Sequence, residues 1–69
     1  MSSIILSPIE VKIIDLMAQE YNSKAIAGKL NLTHKAVTMH RERLLQKTQC
    51  INGIGLIIWA IKHNIIIIK

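Results

Sequence analysis

One cysteine, one proline, three glycines and no phenylalanine occur among the 69 residues, and Tyr21 and Trp59 are the only tyrosine and tryptophan. A single Cys50 excludes a disulfide framework within the chain and fits a reducing cytosol. So little proline and glycine leaves no linker composition. The shortage of aromatics makes any core aliphatic, and fifteen isoleucines supply it. The longest uninterrupted apolar run, Leu56 to Ile61, has six residues, far short of the ~20 that span a bilayer. The opening Met-Ser-Ser-Ile-Ile-Leu has no basic start before its apolar run, so no signal peptide is expected. Disorder requires low hydrophobicity with high net charge, and here 51% of residues are hydrophobic. A chain this short buries only about 60% of its unfolded surface, which leaves little room for an enzyme pocket beside the core.

Acidic residues are also scarce. Nine Lys and Arg stand against four Asp and Glu, a net charge of +5 with a pI near 9.8. A small basic domain suits nucleic acid, an anionic membrane surface or an acidic protein.

The pattern predicts four helices, over about 8–19, 23–30, 34–47 and 54–63, followed by an apolar tail over 64–69. Ser7-Pro8-Ile9-Glu10 reads as a capping box with proline at the first helical position. Ile9, Ile13, Leu16 and Met17 then recur on one stripe, widened by Ile14, and Leu6 is placed to staple back toward Val11. Asn22 suits the N-cap of a short second helix that buries Ile26, Ala27 and Leu30. Thr33 caps the third helix, whose apolar side is Val37, Leu44 and Leu45. Two helices joined by a turn this tight, the second longer and carrying Lys35, Arg41, Arg43 and Lys47 against one acid, Glu42, form a helix-turn-helix pattern. The fourth helix, with Leu56 to Ile61 running round nearly its whole circumference, is expected to be buried on all sides, its outer side by a second subunit. The tail, rich in isoleucine, is expected either to extend as an arm or to fold onto the first helix.

In this order the residues resemble the LuxR/GerE-type DNA-binding domain of bacterial transcription regulators. Leu6-Ser7 with Glu10 is similar to the family's opening Leu-Thr/Ser-x-x-Glu, and Ile13-Ile14-x-Leu16-x-Ala18 to its first helix. Asn22-Ser23-Lys24-Ala25-Ile26-Ala27-x-x-Leu30 is similar to Ser-Asn-Lys-Glu-Ile-Ala-x-x-Leu. Leu32-Thr33-x-x-Ala36-Val37-x-x-His40 resembles Ile-Ser-x-x-Thr-Val-x-x-His, with Lys47 where the family carries lysine. The segment Trp59 to Ile66 resembles the family's closing Ala-x-Lys/Arg-x-Gly-Leu/Ile-Ile.

The resemblance implies an all-α, four-helix helix-turn-helix domain, taken here as one domain over 1–69. Its third helix enters the major groove of double-stranded DNA, and its fourth forms a two-fold homodimer. By position, Thr38, Met39 and Glu42 would face base edges. Lys24, Thr33, His34, Lys35, His40, Arg43 and Lys47 would face phosphates, and Leu56, Ile57, Trp59 and Ala60 would form the dimer interface. Helical spacing independently gathers positions 35, 38, 39, 42 and 46 into a stripe opposite Val37 and Leu44. Five positions depart from the family pattern, one of them Ala25 in place of a glutamate. Glu20 stands for a usual glycine, Ala36 for a hydroxyl, Thr38 for a common basic residue and Gly53 for a usual arginine, so fewer phosphate contacts are expected.

These readings make the chain a sequence-specific transcription regulator in the bacterial cytoplasm, associated with the nucleoid, with neither cofactor nor membrane. The alternative is an interaction module that pairs with, or sequesters, another LuxR-type regulator. His34, His40 and His63, spaced by six and 23 residues, match no zinc pattern, so no metal is expected. No nucleophile and base pair off in the sequence, so no catalytic residue is assigned.

Overall fold

The structure, a computed structural model, describes residues 5–67, which form four helices without a strand among them. They are α1 (Pro8–Ala18), α2 (Ser23–Leu30), α3 (His34–Thr48) and α4 (Gly53–Lys62). Each begins at a side-chain cap. Ser7 Oγ accepts from the Glu10 N–H at 3.3 Å while Glu10 Oε1 accepts from the Ser7 N–H at 2.8 Å, closing the reciprocal box that the sequence predicts. Asn22, Thr33 and Asn52 each accept from the N–H three residues on, at 2.9, 3.0 and 2.9 Å. The Asn52 cap starts α4 at Gly53, one residue ahead of the expected Ile54.

The helices stop through left-handed residues, and none of these is glycine: Glu20, Asn31, Gln49 and Asn64 have φ between 57° and 71°. After α1 the Glu20 N–H donates to Met17 O at 3.0 Å and the Tyr21 N–H to Leu16 O at 3.2 Å. That is the paired closure in which glycine is the favoured residue at the Glu20 position. It also ends α1 at Ala18 rather than Gln19. A Cβ in this conformation costs about 1 kcal/mol. Glu20→Gly should therefore stabilise the domain by about 0.5–1 kcal/mol, raising its thermal midpoint by about 2–8 °C in a circular dichroism melt. An unchanged or lower midpoint would show that the Glu20 side chain compensates for its backbone.

The core lies where the four helices meet. Ile13, Ile14 and Met17 of α1 meet Ile26 and Ala27 of α2, Val37 and Leu44 of α3, and Leu56 and Ala60 of α4. It is wholly aliphatic apart from Met17, as the composition implies. α2 packs on α3 as the two arms of the helix-turn-helix, and α4 packs on α1 and α3. The apolar tail turns back rather than extending. Asn64 is left-handed, the Ile65 N–H donates to Ala60 O at 2.8 Å, and Ile66 enters the core. Residues 68 and 69 of that tail lie outside the described residues.

The expectation for α4 needs correcting. Leu56 and Ala60, assigned to a dimer interface, have no exposed surface at all and belong to the core of the monomer. Among the described residues, α4 is covered on the one side where it packs against α1 and α3. The opposite side carries Ile54, Ile58 and Ile61 at 71, 49 and 40% exposure, with Ile51 just ahead of the helix at 95%. Ile57 and Trp59 are half-buried between the two sides.

Candidate DNA interface

α3 is divided lengthwise by burial. Val37 and Leu44 have zero exposure and Thr48 is buried, its hydroxyl donating to Leu44 O at 2.7 Å. The other side presents Lys35, Thr38, Met39, Glu42 and Arg43, all exposed. Thr38, Met39 and Glu42, the residues assigned to base edges, thus share one open stripe. The Thr38 hydroxyl donates to His34 O at 3.0 Å. Its single proton is thereby engaged, and toward a ligand it offers lone pairs only. Glu42, when ionised, is likewise an acceptor.

Four of the seven groups assigned to phosphates, Lys24, Thr33, His34 and Lys35, lie at helix N-termini. Neither α2 nor α3 has an acid in its first turn, and Lys24 and Lys35 stand there instead. A helix N-terminus already carries partial positive charge, so a cation at that point is unfavourable until an anion arrives. Thr33 and His34 are exposed beside Lys35, Arg43 is exposed further along, and His40 is half-buried. Lys47 differs from the other basic residues. Its ammonium lies 3.1 Å from both carboxylate oxygens of Glu10, across the gap between α3 and α1.

The chain matches the family model described as bacterial regulatory proteins, luxR family, over residues 4–60. It belongs to the luxR family. Its members are DNA-binding transcription regulators, not enzymes, and the outward stripe of α3 is to be read in that light. No curated protein and no solved structure matches the chain.

Two contacts that no local sequence pattern reveals hold this luxR-family domain's helices in place. Arg41 reaches from α3 to donate to Ser23 Oγ in the first turn of α2, fixing the angle of the helix-turn-helix. Gly53 makes room for it: a Cβ there would lie 3.3 Å from Arg41 Nη2 and 3.1 Å from Met17 Cε. Gly53 therefore lets α4 begin close against Arg41 and against Met17 of α1.

The second contact is the Glu10–Lys47 pair. Burial alone raises the Glu10 carboxyl, but the Ser7 N–H and the Lys47 ammonium outweigh it and hold the pKa below the ordinary 4.5. A carboxyl lowered on folding stabilises the native state fully above its ordinary range, and this is lost as pH falls through the lowered value. The thermal midpoint should accordingly drop as the pH goes below 4.5. Glu10→Gln, which keeps the capping box but not the charge, should flatten that part of the curve. Equal pH dependence in both proteins would assign the acid loss to other carboxylates.

Elsewhere, the Lys29 ammonium sits 4.5 Å above the Tyr21 ring, and the rings of Trp59 and His63 are 4.6 Å apart. Cys50 is half-buried against the core. Among the described residues no group of His, Cys, Asp and Glu could hold a metal ion, and no helix is long and apolar enough to cross a membrane.

Proposed function

We propose that this luxR-family domain binds duplex DNA sequence-specifically as a homodimer, with α3 in the major groove, as a single regulatory domain working in the bacterial cytoplasm at the nucleoid. The observation that carries the groove assignment is the burial contrast along α3: Val37 and Leu44 at zero exposure opposite an open stripe of Thr38, Met39 and Glu42 flanked by Lys35 and Arg43. A helix so divided is anchored on one side and free to read on the other. Thr38 and Glu42 both offer acceptors, which suit the exocyclic amino groups of cytosine and adenine, while Met39 suits a thymine methyl. Lys24, Thr33, His34, Lys35, His40 and Arg43 track the phosphates.

An amide NMR titration with a short duplex at low salt tests this. Shifts should concentrate between Thr33 and Lys47 and fade as salt rises. A folded dimer without shifts there would leave the alternative, a module that pairs with another LuxR-type regulator. The division of roles has its own test. Arg43→Ala should weaken binding equally for all sequences and reduce the salt slope by about 0.9. Thr38→Ala and Glu42→Gln should instead change the preferred base at one position by about 1–3 kcal/mol in competitive binding. If all three variants behave alike, the sorting into base and phosphate roles is wrong.

The homodimer is proposed to form through the exposed side of α4, with Ile54, Ile58 and Ile61 meeting their two-fold mates, and Ile57 and Trp59 at the margin. The spacing of these isoleucines, with Ile51 before them, alternates three and four residues, the rhythm of a helix seam that packs against a second helix.

A further inference from the structure

The Glu10–Lys47 pair bears directly on how many charges reach DNA. Glu10 is 7% exposed and cannot swing away, because its Oε1 also accepts from the Ser7 N–H at 2.8 Å in the cap of α1. Both its oxygens lie 3.1 Å from Lys47 Nζ, and the Lys47 side chain is still 38% exposed. The ammonium is therefore open to solvent on one side and neutralised on the other. For Lys47 to leave, it would have to strand a carboxylate that is buried and fixed. Lys24, Lys35 and Arg43 have no such restraint: each is exposed, and none forms an ion pair among the described residues.

We infer that Glu10 is a positioning residue for DNA binding: it holds Lys47 in a partly buried ion pair and so withholds one positive charge from the phosphate backbone. The inference rests on the DNA-binding reading above. In the free protein the pair counts as neutral, and an approaching phosphate meets the Glu10 charge together with that of Lys47. Lys47 thus releases no counterion of its own. Glu10 in this way limits the sequence-independent part of the affinity without touching DNA, which favours discrimination by the reading stripe over indiscriminate binding.

The test is the salt slope of binding to a short mixed-sequence duplex, measured by fluorescence anisotropy for wild type and for Glu10→Gln, with helicity checked by circular dichroism. Glutamine keeps the acceptor for the Ser7 N–H, so the cap survives. The released Lys47 should steepen the slope by about 0.9 and tighten binding about 5- to 10-fold at 0.1 M salt. Adding Lys47→Ala to Glu10→Gln should return the slope to that of wild type. A purely structural Glu10 would alter the melting temperature and leave the slope where it was, and that result overturns the inference. The double variant, which removes both charges and strands neither, is also the check should Glu10→Gln alone fold poorly: its slope should equal that of wild type, and a fall of about 0.9 would mean that Lys47 already neutralises a phosphate. If wild type itself shows no salt-dependent binding, the DNA reading has failed and the inference falls with it, which the wild-type titration alone reveals.

Discussion

Leu44→Ala will lower the thermal midpoint by at least about 8 °C and reduce DNA binding in step with the fraction of the domain that unfolds. Leu44 lies on the inward side of α3 with no exposed surface, in the aliphatic core shared by all four helices. Truncating such a leucine removes its transfer free energy and leaves a cavity, together about 2–5 kcal/mol. At about 0.05–0.15 kcal/mol per residue, a domain of 69 residues has only about 3–10 kcal/mol of stability in all. The buried cluster itself contains no aromatic ring, Trp59 packing only against its edge, and its β-branched Ile13, Ile14, Ile26 and Val37 have few rotamers to offer. One methionine, Met17, is the adaptable member of the cluster. Urea unfolding followed by circular dichroism reads the loss. Arg43→Ala is the control, since an exposed residue on the same helix should leave the midpoint within a few degrees. If Leu44→Ala melts within 5 °C of wild type, α3 is not held by this core as described.

That contrast between Leu44 and Arg43 was legible in the sequence, for a simple reason. Helix periodicity fixes which side chains share a face, so Val37 and Leu44 separate from Lys35, Thr38, Met39 and Glu42 before any packing is known. Caps were legible on the same local grounds. Ser7, Asn22 and Thr33 accept from N–H groups three residues away, as their positions ahead of apolar runs predict. What local pattern could not deliver is contact between distant elements. Lys47 and Glu10 are separated by 37 residues and Arg41 and Ser23 by 18, and both pairs change what their basic residues are free to do. Lys47 reads in sequence as one more phosphate contact. Its neutralising partner is a residue fully accounted for by its capping role, so nothing pointed to a second use.

The side of α4 that meets the core was not legible in the sequence, for a different reason. Its apolar residues surround the helix, so periodicity carries no direction and cannot say which side meets the core. The family resemblance supplied a dimer role for the helix but not the rotation that selects its residues. Burial supplies the rotation: Leu56 and Ala60 point inward, and Ile54, Ile58 and Ile61 point out.

That rotation makes Ile58→Asp the most informative substitution for the proposed dimer. Ile58 is half-exposed in the monomer, midway along the open side of α4, so an aspartate there meets water and should leave helicity and melting of the isolated domain nearly unchanged. In a two-fold dimer the same change occurs twice across one interface. Each carboxylate would be buried among isoleucines, with Lys62 one turn further along α4 as its nearest cation on the helix, at a cost of several kcal/mol. The dimer dissociation constant should rise by at least about 100-fold, since every 1.4 kcal/mol is a factor of ten. Sedimentation velocity across a concentration series measures it. Binding to a duplex with two half-sites should weaken and lose its cooperativity, while binding to a single half-site should stay as it was. Leu56 would be a poor probe of the same idea, because its truncation damages the monomer first. Trp59 is little better, since part of its ring packs against the core. A variant that remains dimeric would move the interface away from α4. A wild type that sediments as a monomer at every concentration would leave the isoleucine face open to a different LuxR-type chain, and mixing with such a regulator would then be the experiment to run.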